Sequence, residues 1–525
     1  MARFDVRDND LAAALQCGMT LAWHAARQGE ATAVVSTFEE RSFGEVNARA
    51  NRLARLFAAH GIGPGDAVAM VLRNRAEFVE TYHACFRSGI RVTPVNFHLN
   101  GEQAGYVVDN CEAKALVHDG TLGTGVETLA HAPRVRLALS VGGAIDGFED
   151  YETAIAGLDE ADPEEPVLGS SMLYTSGTTG RPKGVYRKNP PPNRLQRATE
   201  HAAWRPGEDR CLCTGPAYHA APMAFNVVGP LAAGVGIVLM DKWDAAETLR
   251  LVEQYRITHT HMVATMFHRL LALPEEIREG HDLSSLRYVL HGAAPTPVHV
   301  KRAMIEWLGP VLYEYYAATE GGGNYFITSE EWLRKPGSVG HSPTPEYTRV
   351  LNEAGEEVPR GEVGMLYFQA PPTGAFEYFK APEKTQDSYR DGFFTLGDMG
   401  YLDADGYLFL TGRSAETIIS GGVNIYPQEI DAELLKHPSV ADVCTIGVPN
   451  EEWGEEVKAV VLPADGVAPD DALRDDLLAF AREVLPGFKC PRSIDFAEDL
   501  PRLDSGKIQR RLVRAPYWEG RTKQI

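Results

Sequence analysis

A stretch of hydroxyl and glycine residues near residue 175 has the residue types of an anion-binding loop. It reads Thr175-Ser176-Gly177-Thr178-Thr179-Gly180, follows an apolar strand-like run, and has Lys183 three positions further on. Glycines let several backbone N–H groups point into one concavity, the hydroxyls donate further hydrogen bonds, and the lysine adds a mobile positive charge. This set of donors predicts a site for a polyphosphate.

Two other interpretations of such loops have to be weighed. The phosphate loop of kinases and small GTPases is excluded, because Gly184 follows Lys183 where that loop requires Ser or Thr. Gly506-Lys507 fails the same pattern, since Pro501 and Ile508 occupy the other required places. A plain surface turn rich in Gly, Ser and Thr stays open for the loop taken alone.

Further short motifs follow the loop along the chain. They are Pro216-Ala217-Tyr218-His219, Gly292-Ala293-Ala294-Pro295, Tyr316-Ala317-Ala318-Thr319-Glu320-Gly321, Gly397-Asp398, Gly412-Arg413, Ser420-Gly421-Gly422-Val423-Asn424-Ile425-Tyr426-Pro427 and Pro501-Arg502-Leu503-Asp504-Ser505-Gly506-Lys507. With them the sequence resembles the adenylate-forming superfamily, which contains acyl-CoA synthetases, luciferases and the adenylation modules of peptide synthetases. It is most similar to a bacterial acyl-CoA synthetase.

The resemblance implies two reaction steps at one site. A carboxylate attacks the α-phosphorus of ATP to give an acyl-adenylate and pyrophosphate, and a thiol then attacks the acyl-adenylate. Because two anions must meet in the first step, the site has to neutralise both and stabilise the charge that builds up at phosphorus. The cofactors it implies are ATP, Mg²⁺ and coenzyme A.

The same resemblance assigns the phosphate and metal contacts. Thr175 to Thr179 and Lys183 would hold the β- and γ-phosphates. Glu320 would hold Mg²⁺, a hard cation that takes carboxylate and phosphate oxygens. Lys507 would bridge the attacking carboxylate and the α-phosphate as a mobile point charge.

The nucleoside contacts follow in the same way. Tyr316 would lie against the adenine face, and Thr319, next to Glu320, belongs to the same nucleotide-binding motif. Asp398 would accept hydrogen bonds from the ribose hydroxyls, and Arg413 would donate to the same sugar. The other side of the adenine slot would be formed by three small residues, Gly292, Ala293 and Ala294.

Hydrophobic periodicity predicts the elements that must position these residues. Residues 47–60, 76–87 and 245–255 have helical spacing, and short apolar runs predict strands at 67–72, 115–118, 137–141, 235–240 and 286–291. Alternating strands and helices predict an α/β fold with parallel sheets flanked by helices. From about residue 361, short alternating segments with glycine turns predict an antiparallel, barrel-like part.

We expect a large N-terminal domain over residues 1–412, a hinge over 413–416 and a small, mobile α+β domain over 417–525. In this family the small domain rotates between the two steps. Gly421 and Gly422 would then line a narrow passage for the thiol, where side chains would block it. Many relatives carry Asp or Lys where this chain has Ala415, so the balance between the two orientations stays open.

Coenzyme A is the acceptor we expect, and the phosphopantetheine arm of a carrier protein is the competitor. Lys489 and Arg492 could form a cationic rim for its phosphates, although a solvated face explains two charges equally well. The acid is expected to be hydrophobic, fatty or bulky and steroid-like, because residues 216–236 are rich in Ala, Gly and Val. His219 would stand at the edge of its pocket; the alternative for His219 is a structural histidine.

Two hypotheses from other classes stay open. A kinase-like phosphotransferase would use the Thr/Gly loop but release ADP rather than AMP. A catalytically silent homologue would only bind ligands, and the presence of Lys183, Glu320, Asp398 and Lys507 argues against it.

The composition and charge of the sequence limit the kinds of partner and cellular compartment that we expect for this protein. Lys and Arg number 51 against 72 Asp and Glu, a net charge of −21 that disfavours nucleic acid. A membrane span and a secretory signal are not expected, since no apolar run reaches about 18 residues and the first twenty residues contain three aspartates. Seven scattered cysteines fit a reducing cytoplasm, and Cys211 and Cys213 indicate strand packing rather than a zinc site. A homodimer is kept open.

Overall fold

The computed structural model describes residues 4–175, 182–188, 200–503 and 507–519. Its strands, in chain order, are β1 Thr32–Val35, β2 Glu40–Ser42, β3 Ala67–Val71, β4 Arg91–Pro94, β5 Ala113–Asp119, β6 Leu137–Val141, β7 Glu149–Asp150, β8 Ser170–Ser171, β9 Leu173–Thr175, β10 Lys183–Arg187, β11 Arg210–Cys213, β12 Gly236–Leu239, β13 His259–Met262, β14 Tyr288–His291, β15 Leu312–Ala317, β16 Gly323–Thr328, β17 Thr348–Leu351, β18 Gly364–Gln369, β19 Phe376–Tyr378, β20 Tyr389–Arg390, β21 Phe393–Leu402, β22 Leu408–Arg413, β23 Ile418–Ser420, β24 Val423–Ile425, β25 Val440–Asn450, β26 Gly454–Pro463 and β27 Ser493–Phe496.

Most of the helices lie between these strands along the chain. The α-helices are Leu11–Gln16, Thr20–Gln28, Phe43–Ala59, Ala76–Phe86, Gly101–Asn110, Gly125–Ala130, Tyr151–Ile155, Ala220–Pro222, Gly229–Ala232, Ala245–Tyr255, Ala264–Leu271, Glu275–Arg278, Val298–Leu308, Ser329–Arg334, Pro382–Ser388, Pro427–Leu434, Asp471–Val484 and Arg510–Arg514. A π-helix covers Met223–Val228, and 3₁₀ turns cover Glu200–Ala202, Pro345–Tyr347, Ser414–Glu416, Gly487–Lys489 and Ala515–Trp518. In these described segments, no helix has the length and apolar character needed to cross a membrane.

Two mainly parallel sheets form the larger part of the fold. The six-stranded sheet has the order β7-β6-β5-β3-β4-β8, with every pair parallel. The eight-stranded sheet has the order β16-β15-β14-β13-β11-β12-β1-β2 and is parallel except at its two edges. The predicted α/β architecture with parallel sheets is therefore confirmed.

Helices Phe43–Ala59 and Ala76–Phe86 pack between these two sheets. Their apolar faces belong to one buried cluster with Val68 of β3 and Ile237 of β12. The first helix begins earlier than the predicted residue 47. The reason is a capping box, in which Ser42 accepts from the backbone N–H of Glu45 and the Glu45 carboxylate accepts from that of Ser42.

Two antiparallel sheets follow the parallel ones. Strands β17-β18-β21-β20, with β22 on β21, form a five-stranded half-barrel, and β19-β10-β9 form a three-stranded sheet. The half-barrel begins at Thr348 rather than at the predicted residue 361, because β17 supplies its edge. Cys211 and Cys213 are buried on β11, so the prediction of strand packing for this pair is confirmed.

The last sheet belongs to the C-terminal part of the chain. Its order is β24-β23-β26-β25, with β27 parallel to β26. Helix Asp471–Val484 buries Leu473, Leu477 and Ala481 against this sheet, whereas Val484, at the end of the same apolar spacing, is 37% exposed. Strand β22 ends at Arg413 and the new sheet begins at Ile418, and a division into two domains at this point remains our proposal.

Candidate active site

The site is built at the carboxyl ends of two neighbouring parallel strands. β14 ends at His291 and is followed by Gly292, and β15 carries Tyr316 and is followed by Glu320. The strands pair in register, with His291 opposite Glu314. Ligands of open parallel sheets bind at this edge, because strand ends and loops leave a crevice there. Two motifs that are far apart in the sequence are thus brought side by side.

The backbone at this edge is packed tightly. A Cβ atom on Gly292 would lie 2.6 Å from the carbonyl oxygen of Tyr315, so this position excludes a side chain. The next residue, Ala293, is exposed and has a φ of 66°, a left-handed conformation that is uncommon outside glycine. Strain of this kind clusters at functional sites.

Asp398 is the centre of a hydrogen-bonded group formed by three of the predicted residues. It is buried on β21, where one carboxylate oxygen accepts from the hydroxyl of Tyr316 at 2.7 Å. The other oxygen accepts from Nε of Arg413 at 3.0 Å. Burial and the adjacent carboxylate raise the pKa of Tyr316 well above its usual range, so its hydroxyl stays a donor. The five-stranded and eight-stranded sheets are joined at this point.

Glu320 lies in a turn that three glycines make sharp. Gly321, Gly322 and Gly323 have φ values of 100°, 82° and 78°, a conformation that only glycine adopts readily. A Cβ atom on Gly323 would lie 2.5 Å from the carbonyl oxygen of Tyr316. The turn therefore folds the backbone directly back onto β15 and leaves the Glu320 side chain half-buried beside the site.

Lys183 stands on the three-stranded sheet, opposite Thr175 in the β9–β10 pair. Desolvation and the positive charge of Lys384 lower the pKa of Lys183. The negative charge of Glu320 opposes this lowering, so the Glu320 carboxylate lies nearby. Thr319, next to Glu320, accepts a hydrogen bond at its carbonyl from Arg187 at 2.8 Å. The remaining residues of the predicted phosphate loop, Ser176, Gly177, Thr178 and Thr179, lie outside the described residues.

A residue that the sequence interpretation missed, Tyr378, lies between Lys183 and Glu320. Its hydroxyl donates to Oε1 of Glu320 at 3.0 Å. The Lys183 Nζ atom lies 4.8 Å from the centre of the Tyr378 ring. Tyr378 belongs to β19, which pairs with β10. Tyrosine is common in strands, so no local signal distinguished it; only strand pairing brings it to the site.

Lys507 reaches this group from the C-terminal part of the chain. Its carbonyl accepts from the Leu503 N–H at 2.8 Å, next to an antiparallel bridge between Arg502 and Ile508. Desolvation, followed by the positive charge of Arg413, lowers the pKa of Lys507 to about 8, and the charges of Glu416 and Asp398 oppose them. The lysine is therefore close to the ribose-binding pair predicted from the sequence.

Glu320 and its surroundings fit a magnesium ion that is bound jointly by the protein and a nucleotide. Mg²⁺ is usually bound by one or two carboxylates together with substrate phosphates and water. Glu320 supplies such a carboxylate beside Lys183. Within residues 4–175, 182–188, 200–503 and 507–519, no group of three or more His, Cys, Asp and Glu side chains could hold a metal alone. Glu320 would thus hold Mg²⁺ jointly with the nucleotide.

His219 stands at the beginning of the helical segment that runs from Ala220 to Ala232. Its ring lies 4.4 Å from that of Tyr218. Further along the segment, Phe225 packs on His261 and Tyr315, with ring centres 5.8 and 4.9 Å apart. An aromatic wall formed by Phe225, His261 and Tyr315 therefore lies behind Gly292, and no sequence motif indicated it.

This aromatic wall has polar atoms at one point. The Tyr315 hydroxyl lies 3.3 Å from Nε2 of His261. Burial lowers the pKa of His261 to about 3, so the imidazole is neutral at physiological pH. Burial also raises the pKa of Tyr315 above its usual range. The wall is thus uncharged, which suits an apolar ligand.

A buried ion pair supports the same strands from behind. Lys301 Nζ lies 2.6 Å from Oε2 of Glu314, and the Lys301 side chain is fully buried. The Nε2 atom of His291 lies 3.8 Å from the same oxygen. Side chains alternate along β15, so the Glu314 carboxylate lies on the opposite face of the sheet from the Tyr315 ring, and the ion pair belongs to the core on that face.

Gly421 and Gly422 form the tight turn between β23 and β24. A Cβ atom on Gly421 would lie 2.4 Å from the ring of Trp453, so the indole packs directly on this turn. Trp453 is 41% exposed, and the Arg492 guanidinium lies 5.3 Å from its ring centre. Lys489, the other cation predicted for the rim, is ion-paired with Glu429. Its positive charge is therefore already partly neutralised.

Comparison with known proteins agrees with this geometry. Residues 21–377 match the AMP-binding enzyme family, and residues 429–507 match the AMP-binding enzyme C-terminal domain. The chain belongs to the AMP-binding enzyme family, the adenylate-forming superfamily that the motifs indicated.

Individual relatives define the class further. The feruloyl-CoA synthase of an Amycolatopsis species is 34% identical over 493 residues, which cover 93% of this chain and 96% of that protein. The fatty acid–[acyl-carrier-protein] ligase ScoC of Streptomyces coeruleorubidus is 29% identical and covers 96% and 97%. The ATP-bound structure of MatB from Rhodopseudomonas palustris is 29% identical, with a TM-score of 0.82 and coverage of 95% and 99%. This protein is an adenylate-forming enzyme of the acid–thiol ligase class.

Proposed function

We propose that this protein activates a hydrophobic carboxylic acid with magnesium and ATP as an acyl-adenylate, and then transfers the acyl group to coenzyme A. The observation that carries the proposal is the hydrogen-bonded group in which buried Asp398 accepts from Tyr316 at 2.7 Å and from Arg413 at 3.0 Å, with the charges of Arg413 and Asp398 both acting on Lys507. A lysine from the C-terminal part of the chain has no structural need to lie beside a buried carboxylate of the half-barrel. It does have a chemical reason if a nucleotide binds there.

In the first step, Lys183 would neutralise the outer phosphates and Lys507 would sit between the incoming carboxylate and the α-phosphate. When bound, Mg²⁺ supplies further charge neutralisation on the phosphate oxygens, with Glu320 as its protein ligand. Lys507 would stabilise the negative charge that develops as the carboxylate oxygen attacks phosphorus. Its charge is needed at that moment, which makes its protonation state decisive.

The nucleoside would be bound by the hydrogen-bonded group around Asp398. Its oxygens already accept from Tyr316 and Arg413, and each carboxylate oxygen has a second lone pair for a ribose hydroxyl. The two donors would fix the orientation of the carboxylate before the sugar arrives. Tyr316 would present its ring to adenine, with Gly292, Ala293 and Ala294 opposite.

The acid pocket favours an aromatic acid among the hydrophobic acids. The wall of Phe225, His261 and Tyr315 lies next to Gly292, and flat rings pack well on aromatic faces. A relative named feruloyl-CoA synthase points in the same direction. A fatty or steroid-like acid, which the composition of residues 216–236 predicted, is the second candidate.

Coenzyme A is the acceptor we infer. Beside the turn at Gly421, the exposed indole of Trp453 offers a stacking surface for an adenine ring, and Arg492 offers a guanidinium for phosphates. A carrier protein would present only the pantetheine arm and would need neither. The chain's seven cysteines are free, which accords with a reducing compartment such as the cytoplasm. A homodimer stays a prediction.

The experiment measures carboxylate-dependent exchange between ATP and pyrophosphate over aromatic, fatty and polycyclic acids. We expect exchange with at least one hydrophobic acid and AMP as the nucleotide product. Release of ADP, or no exchange with any acid, would overturn the proposal.

The acceptor is tested separately with the best acid. Trp453→Ala should raise the KM for coenzyme A and leave the KM for pantetheine unchanged, because pantetheine lacks the nucleotide. Equal changes for both thiols would contradict the nucleotide contact, and acylation of a carrier protein but not of coenzyme A would contradict the acceptor.

A further inference from the structure

Two side chains of the three-stranded sheet hold the turn that carries Glu320. Tyr378 of β19 donates from its hydroxyl to Glu320 Oε1 at 3.0 Å. Arg187 of β10 donates from a guanidinium nitrogen to the carbonyl of Thr319 at 2.8 Å. One bond fixes the side chain of the turn and the other fixes its backbone. Both come from the sheet that also carries Lys183.

The turn needs such external support. Gly321, Gly322 and Gly323 follow Glu320 directly, and glycine loses more conformational freedom on ordering than any other residue. A carboxylate on this segment has no regular secondary structure to fix its position. Contacts from a rigid neighbouring sheet reduce the freedom that would otherwise be lost when a ligand binds.

Tyr378 is itself well fixed. Its backbone N–H donates to the hydroxyl of Thr385 at 2.9 Å, and it lies opposite Val185 in the β10–β19 pair. Its ring centre is 5.4 Å from that of Phe376 and 4.8 Å from Lys183 Nζ. The same side chain thus touches the carboxylate at its hydroxyl and the lysine at its ring face, a position in which a cation is attracted.

We propose that Tyr378 is a positioning residue for the metal and phosphate half of the site, with Arg187 as its partner. Its hydroxyl orients Glu320 through one carboxylate oxygen, which leaves the other oxygen able to face a cation. Its ring sets the place of the Lys183 ammonium relative to that carboxylate. This inference rests on the proposed binding of magnesium and ATP and adds the residues that set the spacing of their ligands.

The test measures nucleotide binding by calorimetry with no carboxylic acid present, so that no reaction occurs. Tyr378→Phe keeps the ring and removes only the hydroxyl. Because the lost hydrogen bond is to a charged group, we expect about tenfold weaker binding of Mg·ATP. Binding of ATP in the presence of a metal chelator should change less than about twofold, since Glu320 then has no cation to hold.

Tyr389→Phe is the matched control. Tyr389 is a half-buried tyrosine next to Phe376, and its hydroxyl donates to the Phe376 carbonyl at 2.7 Å, not to Glu320. It should bind Mg·ATP like the wild type. Arg187→Met should weaken Mg·ATP binding in the same direction, and the double variant should lose less than the product of the two single losses, because both residues hold one turn.

The outcomes separate this inference from the proposed function. A wild-type protein that does not bind Mg·ATP would overturn the proposed function. If the wild type binds but Tyr378→Phe binds Mg·ATP equally well, the positioning role is wrong. It is also wrong if Tyr378→Phe loses ATP affinity equally with and without metal, or if Tyr389→Phe shows the same loss.

Discussion

Replacing Lys507 by alanine should separate the two half-reactions. In the structure this lysine lies near Asp398 and Arg413, so the variant removes a positive charge from the place where carboxylate and phosphate would meet. Conversion of supplied acyl-adenylate into thioester needs no such charge, since pyrophosphate has already left. We therefore expect the first step to be slowed and the second to survive.

The magnitude follows from the environment of the ammonium. A pKa lowered from 10.5 to about 8 means that charging Lys507 in the site costs about 3 kcal/mol more than in water. The attacking carboxylate and the α-phosphate would offset that cost. Removing one preorganised donor from a reacting oxyanion typically slows a reaction at least about 10²-fold, or about 2.7 kcal/mol. We expect at least this loss in adenylation.

The pH dependence has a definite sign. Lys507 acts in its charged form, so adenylation should fall as the pH rises through its pKa, with an alkaline limb of kcat/KM near pH 8. Bound phosphates favour the charged form, so the limb in kcat should lie at higher pH. Exchange between ATP and pyrophosphate reports this step without a thiol, whose own titration would interfere.

Lys436→Ala is the control. Lys436 is a 43% exposed lysine in the same part of the chain, ion-paired at 2.6 Å with Glu433, and has no place in the proposed chemistry. It should keep both half-reactions. Equal loss of both steps in Lys507→Ala, or an alkaline limb that persists in that variant's residual exchange activity, would refute the assignment.

Three further predictions concern the nucleoside group and the core behind it. Asp398→Asn should raise the KM for ATP at least about tenfold, because it removes the charge that pairs with Arg413; an unchanged KM would contradict the ribose contact. Tyr316→Phe should raise the same KM by less than Asp398→Asn, since the ring remains and one hydrogen bond is lost; an effect as large as that of Asp398→Asn would contradict a stacking role. Lys301→Met should lower the free energy of unfolding in urea by about 3–5 kcal/mol by leaving Glu314 buried without its cation, and a change below about 1 kcal/mol would show that the pair does not matter for stability.

Sequence patterns predicted the regular elements well where local signals are strong. Helix Ala245–Tyr255 and strand β6 have the predicted bounds, because amphipathic spacing or a short apolar run marks each of them. Helix Phe43–Ala59 begins earlier than predicted, since its start is set by the Ser42–Glu45 capping box rather than by apolar spacing. Boundaries thus depend on single hydrogen bonds that periodicity does not contain.

For the site, motifs predicted residues whose type and neighbours are both unusual. Asp398, Arg413 and Tyr316 were named from short motifs and meet in one hydrogen-bonded group. Tyr378 and Arg187 were missed, because a tyrosine or arginine in a strand is ordinary and its importance comes from a partner far along the chain. Lys489 was considered for a cationic rim, yet it is ion-paired with Glu429.

The order of motifs along the chain was enough to indicate the family and, through it, an acid activated by ATP, while the alternation of strand and helix patterns predicted the α/β class. Each of these depends on residue types and short spacings, which the sequence contains directly. Only the tertiary structure decided which side chains hold Glu320, which rings lie behind Gly292 and which charges surround Lys507. Those are distances between segments of different sheets, set by how strands pair and helices pack, and no local pattern encodes them.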